Sequence, residues 1–284
     1  EGGQGLRGRA RLRRGVAGGE DQVEVPADGE VDRRAPVADV VPASLQEALS
    51  ARLEKMQPAA RDAALTLAVL GRPVGVGHLE TLFGRPEADS AAIALALTAS
   101  GVAVADAART SIRSRFPDAG LHIAETTNWP DLASAHGRVA ALIEKEGHGG
   151  TAAHAFHLLK SGDALGVPAS LSILDQPNVA PPDVARLAAG LLECPLPPTI
   201  EGAVLRRWAV GELRRGQAEV ARDLLARAIA SEDRAGSAAG VAHGRLLLAL
   251  VLMRLGRDKE AHGEFDAAAP AVAAGKDAKL HALA

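Results

Sequence analysis

The chain has 284 residues, of which 47% are hydrophobic and 2% aromatic, and its formal net charge is −3. That length is enough for two domains of ordinary size, and the apolar content is enough for sizeable cores. The charge excludes an overall attraction to nucleic acid or to anionic membrane, and no apolar run of about 18 residues is present to span a bilayer.

The composition also indicates the class of fold and the compartment. Alanine, leucine and valine supply most of the apolar content and tyrosine is absent, which favours helix-on-helix packing over a strand-rich core. The single cysteine, Cys194, has no partner for an internal disulfide, which fits a reducing compartment. We therefore predict a mainly α, cytoplasmic protein with no membrane contact. Because the chain opens at Glu1 without a secretion-type apolar core, we expect an internal fragment of a longer protein.

Residues 1–41 are predicted to be a disordered linker or the tail of a preceding domain. They are rich in glycine, arginine and acidic residues and have no sustained hydrophobic period. Such a segment buries too little apolar area to offset chain entropy. The five arginines from Arg7 to Arg14 would suit a nucleic-acid arm, but acidic residues follow from Glu20 to Asp39 and no aromatic side chains interleave for stacking.

Ordered structure is predicted to begin just after Pro42. Ser44 followed by Glu47 has the spacing of a capping box, which predicts a helix starting at Ser44. A second helix is expected from Pro58, where the missing amide costs nothing, to a stop at Gly71.

The next segments predict two helices and a hairpin. A short helix spans 78–83, a longer one spans 87–100, and alternating segments at 102–105 and 111–116 form the hairpin. Three helices followed by a two-stranded wing is the order of a winged-helix unit, which we place at residues 42–147. A DNA-reading version needs lysine or arginine on the helix that enters the groove. Helix 87–100 has none, so DNA readout is disfavoured and packing against protein is favoured.

Residues 148–284 are predicted to form a helical-repeat domain. Segments 205–228 and 245–268 align at one offset of forty residues, so that Gly216 matches Gly256 and Ala221 matches Ala261. A period of about forty residues is typical of paired-helix solenoids, in which each unit buries one face against its neighbour. Gly216 and Gly256 should occupy equivalent turns. Because two repeats are too few to be self-sufficient, we expect more repeats in the parent protein.

If residues 148–284 form a solenoid, the positions of its helices and the kind of partner it binds can be predicted. The helices are expected at 181–192, 199–215, 217–230, 241–255 and 260–273. A stack of this kind has a concave groove that takes a protein, a peptide or a small effector. A regulatory interaction role is therefore the leading hypothesis, and a DNA-binding transcription factor acting through the winged helix is the alternative.

Few residues are candidates for chemistry, and we assign no catalytic, cofactor-binding or metal site. His154 and His157 lie three apart on a predicted helix, but a zinc site needs about three or four protein ligands, and no cysteine or carboxylate pair is near. Cys194, in a proline-rich break, has no neighbouring base or positive field to activate it. Asp163 suits a turn or cap after a glycine, and Trp129 and Trp208 suit helix packing. We expect no enzyme activity from this segment.

The stretch from Val41 to Asp163 resembles the region that follows the nucleotide-binding core in STAND-class signal-transduction ATPases, which include large LuxR-type regulators and kinase-associated or cyclase-associated proteins. The matching residues agree in order and spacing over more than a hundred positions. They are Val41-Pro42-Ala43-Ser44-Leu45, Ala51-Arg52-Leu53, Ala68-Val69-Leu70-Gly71-Arg72-Pro73, Arg115-Phe116, Ala135-His136, Val139-Ala140, Leu142-Ile143-Glu144, Ala153-His154 and Ser161-Gly162-Asp163.

This resemblance implies a winged-helix segment that links an upstream ATPase to a sensor arm of tetratricopeptide type. It makes residues 1–41 the tail of the ATPase domain, and it implies that ATP and magnesium belong to that domain, because no glycine-rich phosphate loop is present here. Many relatives carry arginine or histidine soon after the wing phenylalanine. Here Phe116-Pro117-Asp118 takes that place, so no nucleotide-sensing residue is carried over. The parent could also be a serine/threonine kinase or an adenylate cyclase.

Overall fold

The N-terminal half of the described chain combines helices with one small sheet. A computed structural model describes residues 43–127 and 129–274, so the linker predicted over residues 1–41 lies outside the described residues. The elements are α1 (Ala43–Glu54), α2 (Pro58–Leu70), β1 (Val74–Gly75), a single 3-10 turn (Val76–His78), α3 (Leu79–Phe83), α4 (Glu87–Ala99), β2 (Ala103–Ala105), β3 (Ser111–Ser114), α5 (Pro117–Thr126) and α6 (Leu132–Lys145).

In the C-terminal half, the regular elements among the described residues are all helices. Its helices are α7 (Ala152–Ser161), α8 (Gly166–Leu174), α9 (Pro181–Leu192), α10 (Pro198–Arg214), α11 (Ala218–Arg234), α12 (Ala238–Arg254) and α13 (Asp258–Ala274). The predicted mainly α class is confirmed. The helices predicted from Pro181 onward are all present, although their ends differ from the predicted ones by up to four residues.

Proline and glycine delimit α2 as predicted. Pro58 occupies the first turn, and Gly71 closes the helix in a left-handed conformation (φ 69°), with its N–H donating to the Leu67 carbonyl at 3.2 Å. Glycine adopts this conformation without the steric conflict that a Cβ would bring. The helix predicted to start at Ser44 starts one residue earlier, at Ala43, so that Ser44 lies within the first turn.

The predicted hairpin is present, and a third strand joins it. β2 and β3 pair antiparallel, with Val104 opposite Arg113. β1 pairs with the other edge of β3, Val74 opposite Ile112, so the sheet order is β1-β3-β2. Two residues are too short for a sequence period to reveal a strand, and β1 forms because the buried Val74 packs into the same core as Ile112.

Helix α2 lies at the centre of the N-terminal core. Nine of its thirteen residues are buried, and it packs against α4, α5, α6 and β3. Helix α5 approaches it closely at Gly120, where an added Cβ would lie 2.6 Å from the Ala68 Cβ. The apolar residues of α2 therefore contact neighbouring elements on several sides of the helix, which explains why they are not confined to one face.

The last four helices repeat with a period of twenty residues. Each has 17 residues, and they begin at Pro198, Ala218, Ala238 and Asp258. Gly216, Gly236 and Gly256 occupy the three turns with φ of 81°, 68° and 72°. The residue after each glycine donates its N–H to the carbonyl five residues back, at 2.9 Å for Gln217, 3.0 Å for Ser237 and 2.9 Å for Arg257. The predicted equivalence of Gly216 and Gly256 is confirmed, and Gly236 forms the same turn between them.

Helices α10 and α11 form an antiparallel hairpin. The Ser231 hydroxyl near the end of α11 donates to the Pro198 carbonyl at the start of α10, at 2.9 Å. Arg234 forms an ion pair with Glu201 at 3.2 Å at the same end of the hairpin. Helix α11 also packs on α12, α12 packs on α13, and α10 contacts both α8 and α12. Each helix thus buries its apolar stripe mainly on near neighbours in sequence.

Gly166 marks a close approach of α7 and α8 that tolerates no side chain. An added Cβ would lie 2.5 Å from the Leu159 Cα and 2.6 Å from the Leu159 nitrogen, which are backbone atoms. We expect Gly166→Ala to lower the free energy of unfolding by about 2 to 3 kcal/mol, because the two helices must move apart. Urea unfolding followed by circular dichroism measures this change.

Gly263→Ala is the matched control for this substitution. Gly263 is exposed within α13, and an added Cβ would meet nothing within 4 Å. Alanine there should stabilise by about 0.5 to 1 kcal/mol through its better helix propensity. Equal stability of Gly166→Ala and the unsubstituted protein would contradict the close packing of α7 on α8.

Candidate functional site

The two histidines considered for a metal on α7 do not converge on one point. The His154 Nδ1 accepts the Gly150 N–H at 3.3 Å. The buried His157 instead places its Nδ1 2.8 Å from the Nδ1 of His136 on α6. Within residues 43–127 and 129–274, no group of three histidine, cysteine, aspartate or glutamate side chains is arranged to hold a metal ion.

His136 and His157 form a buried pair that joins α6 to α7. One Nδ1 must donate and the other accept, so the contact requires a lone pair on one of the two rings. Burial, and to a lesser extent the Lys160 cation, lower the pKa of His136 to about 4. Burial, and to a lesser extent His136 and Arg186, lower the pKa of His157 to about 3. Both imidazoles are therefore neutral near pH 7.

The ring of Phe156 packs against both imidazoles of this pair. The Phe156 ring meets His136 edge-on at a centroid distance of 5.8 Å and meets His157 edge-on at 5.4 Å. The Arg186 guanidinium lies 4.9 Å from the centroid of Phe156. The guanidinium therefore lies over the face of the Phe156 ring, which is a favourable cation–π arrangement. Both imidazoles are buried.

A cavity of about 400 Å³ adjoins the histidine pair. Its wall includes His136, Phe156, Trp129, Glu125 and Lys160. Trp129 packs against the N-terminal core, in keeping with its predicted packing role, and it also lines this cavity. Lys160 is engaged in an ion pair with Glu193 at 2.5 Å.

The other residues considered for chemistry have structural contacts. The partly buried Cys194 thiol donates to the Gly190 carbonyl at 3.7 Å. The Asp163 carboxylate accepts the Leu165 N–H at 2.7 Å, as a turn residue does. Trp208 donates its indole N–H to Glu212 at 3.0 Å while its ring packs between neighbouring helices.

A groove of about 370 Å³ lies over α8, α10 and α12. We call it the repeat groove. Its lining is apolar along Val204, Val210 and Leu247. Its polar lining is dominated by bases, namely Arg206, Arg207 and His243, against one carboxylate, Asp175. The groove is therefore an apolar channel whose lining has more basic than acidic side chains, although the Arg206 charge is compensated by the buried Glu232.

The two arginines of the repeat groove are held in place by hydrogen bonds. Arg207 donates its Nε to the Leu174 carbonyl at 2.6 Å and another N–H to the Gln176 carbonyl, at the C-terminal end of α8. Burial and the neighbouring Arg214 lower the pKa of Arg207, although a guanidinium stays charged at any ordinary pH. Arg206 is ion-paired with Glu232. Arg207, whose acceptors are neutral carbonyls, is thus a fixed cation of the kind that recognises a carboxylate with little loss of side-chain entropy.

Comparison with known proteins gave no relatives. No protein-family model matches the chain, and no curated protein or solved structure matches it significantly. Of the helices described, none combines the length and the apolar character needed to cross a bilayer.

Sequence reasoning did not single out His136 or Arg207 as functional candidates. His136 shares a helical stripe with Val139, Ala140 and Ile143, and that spacing would have placed it in the core. Arg207 carries no comparable signal, because its acceptors belong to a helix end 31 to 33 residues earlier. The packing of α8 on α10 creates that contact.

Proposed function

We propose that this chain is a non-catalytic, regulatory protein-interaction segment of a signal-transduction ATPase or transcriptional regulator. In this proposal the helical repeats sense a partner or effector. The observation that carries it is the regular stack of α10 to α13, with an open groove of about 370 Å³ over α8, α10 and α12. Stacks of helix pairs present such surfaces to protein segments.

The element order of the N-terminal half supports a winged-helix-like unit within this proposal. Helix α2 is followed by β1, α3, α4, β2 and β3, and the three strands form one antiparallel sheet. This is the arrangement expected of three helices with a wing. Together with the STAND-class resemblance, it supports a linking role between an upstream ATPase domain and the repeats. ATP and magnesium would then bind to that domain.

The chemistry of the repeat groove favours an acidic peptide segment as its occupant. Three basic side chains, Arg206, Arg207 and His243, and one carboxylate, Asp175, line the groove. Since Arg206 is paired with Glu232, Arg207 is the fixed cation that meets an acidic residue, and Val210 and Leu247 offer apolar contact in the same groove. An extended or helical segment with Asp or Glu beside apolar residues would satisfy both features.

Selection from a displayed library of random peptides tests this assignment. We expect the enriched peptides to be rich in Asp and Glu, and Ala203→Glu to weaken their binding to the full chain by at least about tenfold, because it places an opposing charge in the groove. Ala203 is exposed on α10 and Ala230 is exposed on α11 outside the groove lining. Ala230→Glu, which adds the same charge, should leave binding unchanged.

Three outcomes would contradict the proposed function. Peptides that bind both variants equally would place recognition elsewhere. Micromolar ATP binding by this chain in calorimetry would contradict the non-catalytic role. Tight, sequence-dependent binding of a DNA duplex near physiological salt would favour the transcription-factor alternative, against the absence of lysine and arginine from α4.

A further inference from the structure

A second groove, separate from the repeats, lies along the outer face of α4. We call it the α4 groove. It has a volume of about 690 Å³ and lies between α4, the turn before α3 and the sheet. Its apolar surface includes two unusually exposed side chains, Leu95 at 69% and Val76 at 50% exposure. Exposed apolar groups that cluster in one groove indicate an interaction site, whereas scattered ones do not.

The polar groups of Ser90, Thr98 and Asp106, which line the α4 groove, are satisfied within the chain. The Thr98 hydroxyl donates to the Leu95 carbonyl at 2.8 Å, and the Ser90 hydroxyl donates to the Arg85 carbonyl at 3.0 Å. Asp106 accepts the backbone N–H groups of Thr110 at 2.7 Å and Ser111 at 3.2 Å. A partner therefore meets an apolar floor that demands few hydrogen bonds.

The ionisable groups at the edge of the groove are mostly acidic. Its lining contains three carboxylates, Glu80, Glu87 and Asp106, against one guanidinium, Arg109. Glu80 and Glu87 are exposed, and neither is ion-paired to any residue of the described ranges. Their charges are therefore available to a cationic partner.

The spacing of the α4 side chains suits a helical partner. The lining residues of α4 are Glu87, Ser90, Ala91, Ala94, Leu95 and Thr98. Their positions i, i+3, i+4, i+7, i+8 and i+11 form one face of the helix. Small alanines between Glu87 and Leu95 leave a furrow into which the side chains of another helix can pack. Such a surface takes an amphipathic helix as its ligand.

We propose that the α4 groove docks an amphipathic helix of a partner protein, with apolar residues on one face and lysine or arginine along its flanks. The apolar face would cover Leu95 and Val76, and the flanking cations would meet Glu80 and Glu87. This interaction is independent of the repeat groove, which favours acidic segments.

Fluorescence anisotropy with two labelled peptides tests the proposal on the full chain. One is a leucine–lysine peptide with an amphipathic helical pattern, and the other has glutamate in place of lysine. We expect the leucine–lysine peptide to bind at least about tenfold more tightly than the leucine–glutamate peptide. Leu95→Ala should weaken it about tenfold, because a buried leucine contact is lost. The double variant Glu80→Lys, Glu87→Lys should reverse the peptide preference.

Leu165→Ala is the matched control, because Leu165 is also highly exposed, at 64%, but lies outside the groove lining. It should leave peptide binding unchanged. Equal losses in Leu95→Ala and Leu165→Ala, or equal binding of the two peptides, would overturn the proposal. A dimer in sedimentation that Leu95→Ala dissolves would also overturn it, because the occupant would then be a second copy of this chain.

Discussion

Acidification should destabilise this protein well above the pH at which its carboxylates protonate. We expect the free energy of unfolding to fall by about 2 kcal/mol for each of His136 and His157 as the pH is lowered from about 7.5 to about 5. The cause is the buried imidazole pair between α6 and α7, whose pKa values in the folded state are about 4 and about 3. Urea unfolding at a series of pH values measures the effect.

The direction follows from the proton balance. In the unfolded chain both imidazoles titrate near the ordinary pKa of 6.5, so below that pH the unfolded state binds two protons that the folded state does not. Stability is therefore fully present above pH 6.5 and falls as the pH decreases toward 4 and then 3. Protonation of both rings would also place two Nδ1–H donors against each other across 2.8 Å.

Two substitutions separate the buried pair from other titrating groups. His136→Gln removes one of the two imidazoles, so the loss of stability between about pH 7.5 and about pH 5 should be roughly halved. His122 is exposed on α5, and His122→Gln should leave the pH dependence unchanged. An unaltered pH dependence in His136→Gln would contradict the assignment, whatever the absolute stability of that variant.

Arg206→Met should be among the most destabilising single substitutions in the repeats. Glu232 is only 2% exposed, and Arg206 is the cation with which it is ion-paired. Glycines face this carboxylate on both sides, since an added Cβ at Gly202 would lie 2.6 Å from the Glu232 Cγ and one at Gly240 would overlap its carboxylate. Removal of Arg206 would leave a buried charge without compensation, which lowers the free energy of unfolding by about 3 kcal/mol or more.

A double-mutant cycle tests the origin of this effect. The double variant Arg206→Met, Glu232→Gln should be more stable than Arg206→Met, because the unpaired charge is gone. Arg222→Met is the matched control, since the ion-pair partners of Arg222 among the described residues are the exposed Glu219 and Asp223. It should lower stability by less than about 1 kcal/mol. Equal effects of Arg206→Met and Arg222→Met would refute the importance of the buried pair.

Elements determined by local chemistry could be predicted from the sequence. Pro58 and Gly71 delimit α2, the hairpin lies at its predicted place, and Gly216 and Gly256 form equivalent turns. In each case the determining residue acts within a few positions of the structure it specifies. The end of α11 was predicted at Ala230, four residues before its observed end at Arg234, because the apolar stripe weakens before the hydrogen bonding ends at the Gly236 turn.

Features made by distant contacts could not be predicted in this way. His136 and His157 are 21 residues apart and meet only because α6 packs on α7. The forty-residue repeat was visible because small and apolar residues recur at that offset around Gly216 and Gly256, as Ala221 and Ala261 do. Gly236 was therefore overlooked as the middle turn, although its spacing from Gly216 and Gly256 is regular. The α4 groove was foreseen only as a helix suited to packing against protein, since its acidic edge combines residues of α3, α4 and the hairpin turn.

The turns at Gly216, Gly236 and Gly256 have a consequence for how such an arm can change length. Each of the helices α10, α11 and α12, together with its turn, occupies twenty residues. Removal or duplication of a forty-residue block would therefore join the end of one helix to a turn at the same position as before. The matching positions hold glutamate in two units, Glu212 and Glu232, but leucine in the next, Leu252. Glu232 is ion-paired with Arg206, whereas Leu252 lies in an apolar cluster. The backbone is thus interchangeable from unit to unit, while the buried side chains fix the order in which the units can be assembled.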